Sequence, residues 1–316
     1  MLGLLAVGCA APQSLRTADV LQRVAADYRQ FFPADGDPVP QRDAGLLRPR
    51  FGLPAVVTVG EPFTVELLER GAPAALRLAL VRGDLDAVQA ARCVAAADVP
   101  SDGCFPLQVL AQRREAVAAS APAAARLLLT VQPAAAVPPQ GYDLYLESAV
   151  DAPVRAPRSV WLRSPSVETR PLRVAHLTDL HLGKGHADLR ANLERILAEV
   201  NAGQPDLVVV TGDLANLGTR DDLLGQARAL LLGVQAPVVA VVGNHDLGFG
   251  PTPILTNRYG AGWANFARAF HPYLMFSLRL GGWEFVGFDS GPSVISPRIA
   301  ASVMAATRSE EHTSEL

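Results

Sequence analysis

Three short polar islands, each placed directly after an apolar run, constrain the fold of this chain more than any other feature. The islands are residues 178–181, 211–214 and 243–246, and the runs before them are 174–177, 207–210 and 238–242. Segments with helical periodicity separate them: one over 187–200, and one that Thr219 and Asp222 would cap. This pattern predicts a β-α-β-α-β unit with a parallel sheet and right-handed crossovers.

The carboxyl ends of parallel strands share one edge of the sheet, and ligands bind outside that edge. Asp179 and His181 are two positions apart, so an extended segment would point both to one side. Asp213 lies 34 residues after Asp179 (213 − 179), and Asn244 lies 31 residues after Asp213 (244 − 213), each about one βα unit. With His245, these residues bring two carboxylates, two imidazoles and one amide to a single crevice.

This ligand set is typical of a metal centre. A carboxylate placed between two cations can bridge them, and mixed oxygen and nitrogen ligands suit Mn, Fe or Zn better than Mg alone. Two such ions would lower the pKa of a shared water and neutralise phosphate oxygens. The pattern therefore favours a metal-dependent hydrolase.

Over residues 172–290 the three islands, taken in order, resemble the first three motifs of the calcineurin-like metallophosphoesterase family. The matching motifs are Asp179-x-His181, Gly212-Asp213 and Gly243-Asn244-His245-Asp246. The resemblance implies an α/β metallophosphoesterase-type domain that binds two divalent metal ions (Mn, Fe or Zn). It also implies hydrolysis of a phosphomonoester or phosphodiester by an activated hydroxide.

Individual roles follow from the resemblance alone. It implies that Asp179 and His181 bind the first metal and that Asp213 bridges the pair. It implies that Asn244 binds the second metal and the phosphate. His245 and Asp246 are the expected catalytic residues.

In the expected catalytic pair, His245 would protonate the leaving oxygen, and Asp246 would orient the His245 imidazole. The remaining histidines and the single lysine have weaker claims. His176 is expected to pack within a strand, and His271 to be a surface or packing residue. Lys184 and His186 could contact substrate, but a solvated loop is the simpler expectation.

The ligand set is incomplete, because the family uses three more imidazoles after the third island. Of the six histidines only His271 and His312 follow His245, and neither lies in a matching context. The segment 308–316 differs abruptly from the preceding composition and resembles a translated sequencing adapter. We therefore expect a domain truncated near Thr307, with little or no activity. The alternative is a non-catalytic envelope lipoprotein with a degenerate phosphoesterase domain.

Short alternating segments between 53 and 162 predict an antiparallel β-sandwich, for example around Phe63 and Leu78. The stretch from Pro138 to Leu144 resembles the tyrosine corner of immunoglobulin-like domains, in which the phenol of Tyr142 would anchor the start of a strand. The alanine-rich stretches 90–97 and 117–125 could be short helices or loops.

The N-terminus has a short apolar run that ends at Cys9 and resembles a bacterial lipoprotein signal, which would place the protein in the cell envelope. The alternative is a frayed apolar terminus with an incidental cysteine. After export, Cys93 and Cys104 could form a disulfide across the turn at 100–103; in a reducing compartment they would be buried thiols.

The predicted partners and segments follow from these patterns. The net charge of −3 implies no general attraction to nucleic acid. The expected partner is the phosphate ester that the family resemblance implies. The predicted segments are an anchor and tether (1–16), a helix over 17–32 with its linker (17–45), an immunoglobulin-like sandwich (46–165), a linker (166–171), a metallophosphoesterase domain (172–307) and a non-native tail (308–316).

Overall fold

The computed structural model describes residues 3–8, 45–70, 76–95, 103–116, 124–133, 137–148, 153–165, 170–185, 188–248, 259–273 and 275–288. The chain divides into two compact units, one of residues 40–167 with 235–238, and one of residues 1–39, 168–234 and 239–316. The predicted helix at 17–32 and the predicted tail at 308–316 lie outside the described residues.

The two units contain fourteen described strands and four described helices. The strands are β1 (Gly3–Gly8), β2 (Leu46–Arg48), β3 (Ala55–Thr58), β4 (Phe63–Arg70), β5 (Leu76–Val81), β6 (Cys104–Ala116), β7 (Ala124–Pro133), β8 (Gly141–Ser148), β9 (Val154–Arg163), β10 (Val174–Leu177), β11 (Leu207–Thr211), β12 (Val238–Val241), β13 (Met275–Leu280) and β14 (Trp283–Phe288). The helices are α1 (Ala87–Ala95), α2 (Leu189–Ala202), α3 (Asp221–Leu231) and α4 (Tyr259–Ala269).

The unit of residues 40–167 is built on one eight-stranded sheet, with the order β2-β4-β7-β6-β5-β8-β9-β3. The alternating runs predicted as strands all lie within these strands. One buried cluster takes apolar side chains from each of the eight strands, so all of them share a core. The sheet is mixed, because β3 runs parallel to β9. The immunoglobulin-like character of this unit stays a prediction.

Tyr142 anchors the start of β8. Its hydroxyl donates a hydrogen bond to the carbonyl of Pro138 at 2.9 Å, and its ring packs edge-on against Phe105 with centroids 5.7 Å apart. Burial raises the pKa of the Tyr142 phenol, so the group stays a donor at neutral pH. This is the hydrogen bond that the tyrosine-corner resemblance predicts.

The first alanine-rich stretch forms part of helix α1. Ala90 of this helix is buried in a small cluster with Cys104 and Tyr145. The side chain of Cys93 lies outside the described residues, so the predicted Cys93–Cys104 disulfide stays a prediction. Of the second alanine-rich stretch, only residues 124 and 125 are described, and they begin β7.

The second unit contains the predicted β-α-β-α-β segment. Its sheet has the order β10-β11-β12, and β10 pairs with β11 in parallel, with Val174 opposite Leu207. The backbones and side chains of β11 and β12 are buried, whereas β10 alternates between exposed and half-buried residues. The expectation that His176 is packed was therefore wrong: β10 lies at the sheet edge, and His176 is exposed.

The helix boundaries differ from the predictions in one instructive respect. Helix α3 begins after Arg220, which makes no side-chain capping hydrogen bond. The predicted capping box of Thr219 and Asp222 was wrong, because the Asp222 carboxylate pairs instead with the Arg220 guanidinium at 3.0 Å. A competing charge two residues away thus replaces the capping interaction.

A bidentate ion pair fixes the chain directly before β10. Arg170 donates to both carboxylate oxygens of Asp206, at 2.9 and 2.5 Å, and the backbone N–H of Arg173 also donates to Asp206 at 2.9 Å. Asp206 is buried and directly precedes β11. The pair therefore sets the start of β10 beside the start of β11.

The predicted hairpin at the end of the second unit is confirmed. Strands β13 and β14 pair antiparallel through Gly281 and Gly282, whose φ angles of +57° and +77° suit a tight turn. The apolar N-terminal residues of β1 pair antiparallel with β14. The lipid anchor at Cys9 stays a prediction. Within the described residues, no helix combines the length and the apolar character needed to cross a bilayer.

Replacing Tyr142 with Phe tests the anchor of β8. The substitution removes the bond from the buried Tyr142 to the Pro138 carbonyl, so we expect the free energy of unfolding to fall by about 1 kcal/mol. Tyr145→Phe is the matched control, because this buried tyrosine on the same strand has no described hydroxyl hydrogen bond. Urea unfolding of the full chain measures both; equal losses would contradict the anchoring role.

Candidate metal centre

The first two islands continue the parallel pairing of the strands that precede them. The backbone N–H of Asp179 donates to the Gly212 carbonyl at 3.3 Å, and that of His181 donates to the Asp213 carbonyl at 2.8 Å. A parallel bridge between Leu182 and Ala215 follows. The two islands are therefore held side by side by backbone hydrogen bonds, beyond the ends of β10 and β11.

Three of the predicted ligands have left-handed backbone conformations. The φ angles are +56° at Asp179, +44° at His181 and +51° at Asp213. Residues other than glycine are disfavoured in this region, because their β-carbon crowds the following carbonyl. The expectation of an extended segment from Asp179 to His181 was therefore wrong. Sharp turns, not strand alternation, aim these side chains.

Three predicted site residues, one from each island, converge. The candidate ligand atoms of His181, Asp213 and His245 all lie within 4.8 Å of one another. The two imidazole rings meet edge-on, with centroids 4.6 Å apart. Asp213 is buried, and the two histidines are half-buried. The grouping provides both nitrogen and oxygen donors.

Two further predicted ligands border this group. One oxygen of Asp179 lies 3.4 Å from Nε2 of His181, and the other accepts a hydrogen bond from the Thr178 hydroxyl at 2.7 Å. The side chain of Asp179 is 59% exposed, so it lies on the open side of the group. Asn244 is half-buried in the third island, directly before His245.

His245 is held at its backbone by the second island and at its ring by the residues that follow that island. Its backbone N–H donates to the carboxylate of Asp213 at 3.0 Å. Its ring atom Nδ1 lies 2.9 Å from the carbonyl of Asn216. A carbonyl can only accept, so Nδ1 carries the hydrogen, and Nε2 is the nitrogen left for a ligand or a second proton.

Asp246 has different partners from the expected ones. Its carboxylate accepts hydrogen bonds from the backbone N–H groups of Ala215 and Gly243, both at 2.9 Å. Complete burial raises the pKa of Asp246 to about 7, although these N–H groups act in the opposite direction. In the described contacts, Asp246 joins the second and third islands through their backbones and leaves the His245 ring to the Asn216 carbonyl.

Glycines allow the islands to approach one another this closely. A β-carbon on Gly243 would overlap the backbone nitrogen and the carboxylate of Asp213. A β-carbon on Gly218 or on Gly262, a residue of α4, would overlap the backbone carbonyl of Asp246. The third island is therefore enclosed by backbone on several sides, and a side chain at any of these glycines would displace it.

The residues of this group fit divalent cations. The ring atom Nδ1 of His181 is buried and has no hydrogen-bond partner among the described residues, which is costly for a polar atom. Imidazole nitrogen and carboxylate oxygen together are typical ligands of Mn, Fe and Zn. Asp179, His181, Asp213 and Asn244 would hold such ions.

The other sequence candidates do not join this group. His271 is fully buried: its Nε2 lies 2.8 Å from the Ala240 carbonyl, and its Nδ1 accepts the Tyr273 N–H at 3.2 Å. This agrees with the packing role considered for it. Lys184 is exposed, and His186 lies outside the described residues.

Two groups that hold the site in place carried no signal in the sequence. The Asn216 carbonyl that binds His245 is a backbone group, so no residue type could have marked it. Asn265 of α4, whose amide donates to the Gly218 carbonyl at 2.9 Å, gave no periodic or motif signal.

Paired substitutions at Asp179 measure the strain of its left-handed backbone. Asp179→Ala and Asp179→Gly remove the same carboxylate, but only alanine keeps a β-carbon at a φ of +56°. We expect the glycine variant to be more stable by about 1 kcal/mol in metal-free buffer. Chemical unfolding followed by circular dichroism gives the difference, and an alanine variant of equal or greater stability would contradict the strain.

Gly243→Ala tests the close approach of the second and third islands. The new β-carbon would push Asp213 away, so we expect a loss of ~2 kcal/mol in stability. We also expect Mn²⁺ affinity to fall by about 10–100-fold. Gly225→Ala is the control, because this glycine of α3 faces open space, where alanine should stabilise the helix by about 0.5–1 kcal/mol. Unchanged Mn²⁺ binding in Gly243→Ala would count against the arrangement.

Comparison with known proteins supports this assignment of the second unit. An uncharacterised metallophosphoesterase of Campylobacter jejuni is 37% identical over 65 residues, which cover 20% of this chain and 16% of that protein. A purple acid phosphatase from yellow lupin (Lupinus luteus) seeds aligns with a TM-score of 0.33 and 14% identity, over 71% of this chain and 42% of that one.

An amylomaltase from Corynebacterium glutamicum aligns with a TM-score of 0.23 and 13% identity, over 61% of this chain and 23% of that one. Structural likeness at these TM-scores carries no part of the argument. The family match is more direct, because residues 172–302 match the family model of the calcineurin-like phosphoesterases. The matched residues 172–302, which include the His181–Asp213–His245 group, are therefore similar to the calcineurin-like phosphoesterases.

Proposed function

We propose that the second unit is a phosphoesterase domain that binds two divalent metal ions and hydrolyses a phosphomonoester or phosphodiester. The observation that carries the proposal is the convergence of His181, Asp213 and His245, whose ligand atoms lie within 4.8 Å of one another at the carboxyl edge of a sheet. The family match over residues 172–302 supports the reaction class.

The roles are those that the family resemblance implies. Asp179, His181, Asp213 and Asn244 would hold the ions, with Asp213 as the ligand common to both. Bound cations would neutralise charge on the phosphate and make a water molecule acidic enough to react near neutral pH. The exposed side of the group, next to Asp179, is where the phosphate ester binds.

His245 supplies the proton for the leaving oxygen. Its Nδ1 is committed to the Asn216 carbonyl, so the transferable proton is on Nε2. Donation from Nε2 leaves a neutral imidazole that the carbonyl still orients. Asp246 keeps the backbone of His245 in register through its bonds to Ala215 and Gly243.

This polypeptide is expected to turn over slowly. The family uses three further imidazoles after the third island, and His271, the one described histidine that follows it, has both ring nitrogens engaged in the core. The described residues therefore provide part of the ligand set, and low turnover is the expected result.

The first unit has a supporting role in this proposal. The core shared by its eight strands and the Tyr142–Pro138 hydrogen bond favour an immunoglobulin-like sandwich. We propose that it displays the phosphoesterase domain at a bacterial cell envelope, with Cys9 as the lipid-anchored residue and a disulfide between Cys93 and Cys104.

Metal titration of the full chain tests the proposal. We expect Mn²⁺ to bind the wild-type chain, and Asp213→Ala to lose at least about tenfold in affinity, because Asp213 lies at the centre of the group. His176→Ala is the matched control, since this exposed histidine of β10 lies outside the group. Isothermal titration calorimetry measures the affinity, and hydrolysis of 4-nitrophenyl phosphate and bis(4-nitrophenyl) phosphate measures turnover.

The outcomes distinguish a phosphoesterase from a non-catalytic binding protein. Weak Mn²⁺-dependent hydrolysis that Asp213→Ala abolishes supports the phosphoesterase. Metal binding with neither hydrolysis nor metal-dependent binding of inorganic phosphate favours a non-catalytic binding protein. The absence of metal binding would overturn the proposed centre, and rapid turnover would overturn the expectation of low activity.

A further inference from the structure

The loop between the second island and α3 contacts each element of the site. The N–H of Leu182, which directly follows the first island, donates to the Leu214 carbonyl at 3.0 Å. The Asn216 N–H donates to the Leu182 carbonyl at 2.9 Å. Its Ala215 N–H donates to Asp246, and its Asn216 carbonyl binds the ring of His245. The loop, residues 214–218, is therefore the structure that fixes the orientation of the His245 imidazole.

The far end of this loop is held from two sides. The Gly218 N–H donates to the backbone carbonyl of His245 at 2.9 Å. The Gly218 carbonyl accepts a hydrogen bond from the side-chain amide of Asn265 at 2.9 Å. The peptide groups on either side of Gly218 thus link the third island to helix α4.

Asn265 is suited to this link. It is 6% exposed, so its amide group cannot exchange the Gly218 carbonyl for bulk water without moving the helix. Its carbonyl oxygen accepts a hydrogen bond from Arg268 at 3.2 Å. Because the Gly218 carbonyl can only accept, the amide nitrogen of Asn265 faces it with or without Arg268. The close packing of Gly262 on the Asp246 carbonyl sets this part of α4 against the third island.

We propose that Asn265 is a positioning residue for His245: its amide holds loop 214–218 so that the Asn216 carbonyl keeps the imidazole hydrogen on Nδ1. Asn265 acts through the loop. The inference rests on the proposed role of His245 as the proton donor, because a fixed hydrogen on Nδ1 reserves Nε2 for the transferable proton.

The experiment reads the tautomer of His245 directly in the metal-free full chain. Long-range ¹H–¹⁵N spectra of protein labelled at histidine show which ring nitrogen carries the hydrogen, and the His245→Gln spectrum identifies the signal. Asn265→Ala removes the donor, and Asn265→Asp replaces it with an acceptor of the same shape. Arg268→Ala is the matched control on the same helix, because it leaves the bond from Asn265 to Gly218 in place.

We expect wild type and Arg268→Ala to show the Nδ1 tautomer of His245 in excess over the Nε2 tautomer. In both Asn265 variants the Nδ1-to-Nε2 tautomer ratio should fall on the order of fivefold, the loss expected from weakening one hydrogen bond. A general loss of stability would not change this ratio while the protein remains folded. Folded Asn265 variants with the wild-type ratio would overturn the proposal.

A measurement on the wild-type chain covers the case in which both variants fail to fold. The side-chain amide of Asn265 and the backbone N–H of Gly218 should be protected from hydrogen exchange to a similar degree. Free exchange of the Asn265 amide beside a protected Gly218 would overturn the proposal. These readouts need neither metal nor substrate, so a chain that fails to bind Mn²⁺ would contradict the proposed function and leave the positioning test intact.

Discussion

The close contact between the second and third islands is the constraint on which the site depends. Gly243 has no β-carbon, so the backbone of the third island can lie against the backbone and carboxylate of Asp213. The Asp213 carboxylate then reaches the N–H of His245, and Asp246 reaches back to Ala215. Each of these bonds requires the same short separation, so the contact and the network exist together.

The sequence predicted the layout of the second unit because its signals are local and repeated. Continuous apolar runs marked strands buried on both faces, and β11 and β12 have that burial. Two glycines between alternating segments marked the hairpin of β13 and β14. In the first unit, the short alternating runs and the turn before Tyr142 were equally local signals. Each of the runs lies in a strand of the eight-stranded sheet, and the turn directly precedes β8.

The prediction failed where a distant or competing group decides the outcome. His176 was expected to pack because its neighbours are apolar, but β10 has one described strand neighbour and leaves the ring exposed. Thr219 was expected to cap α3, but the pairing of Arg220 with Asp222 replaced the cap. Residue types also could not reveal that Asp246 binds backbone or that a carbonyl orients His245, because backbone partners leave no trace in composition.

The left-handed conformations of Asp179, His181 and Asp213 have a thermodynamic consequence for the whole domain. Glycine would adopt each of these conformations with less strain. The folded chain without cations is therefore destabilised by the backbone strain at these three residues. A cation that binds only the folded form offsets this cost by an amount that grows with the logarithm of its free concentration. In the proposed centre, folding of the domain would thereby be linked to the concentration of divalent ions around it, and a change in that concentration would alter the stability of the protein.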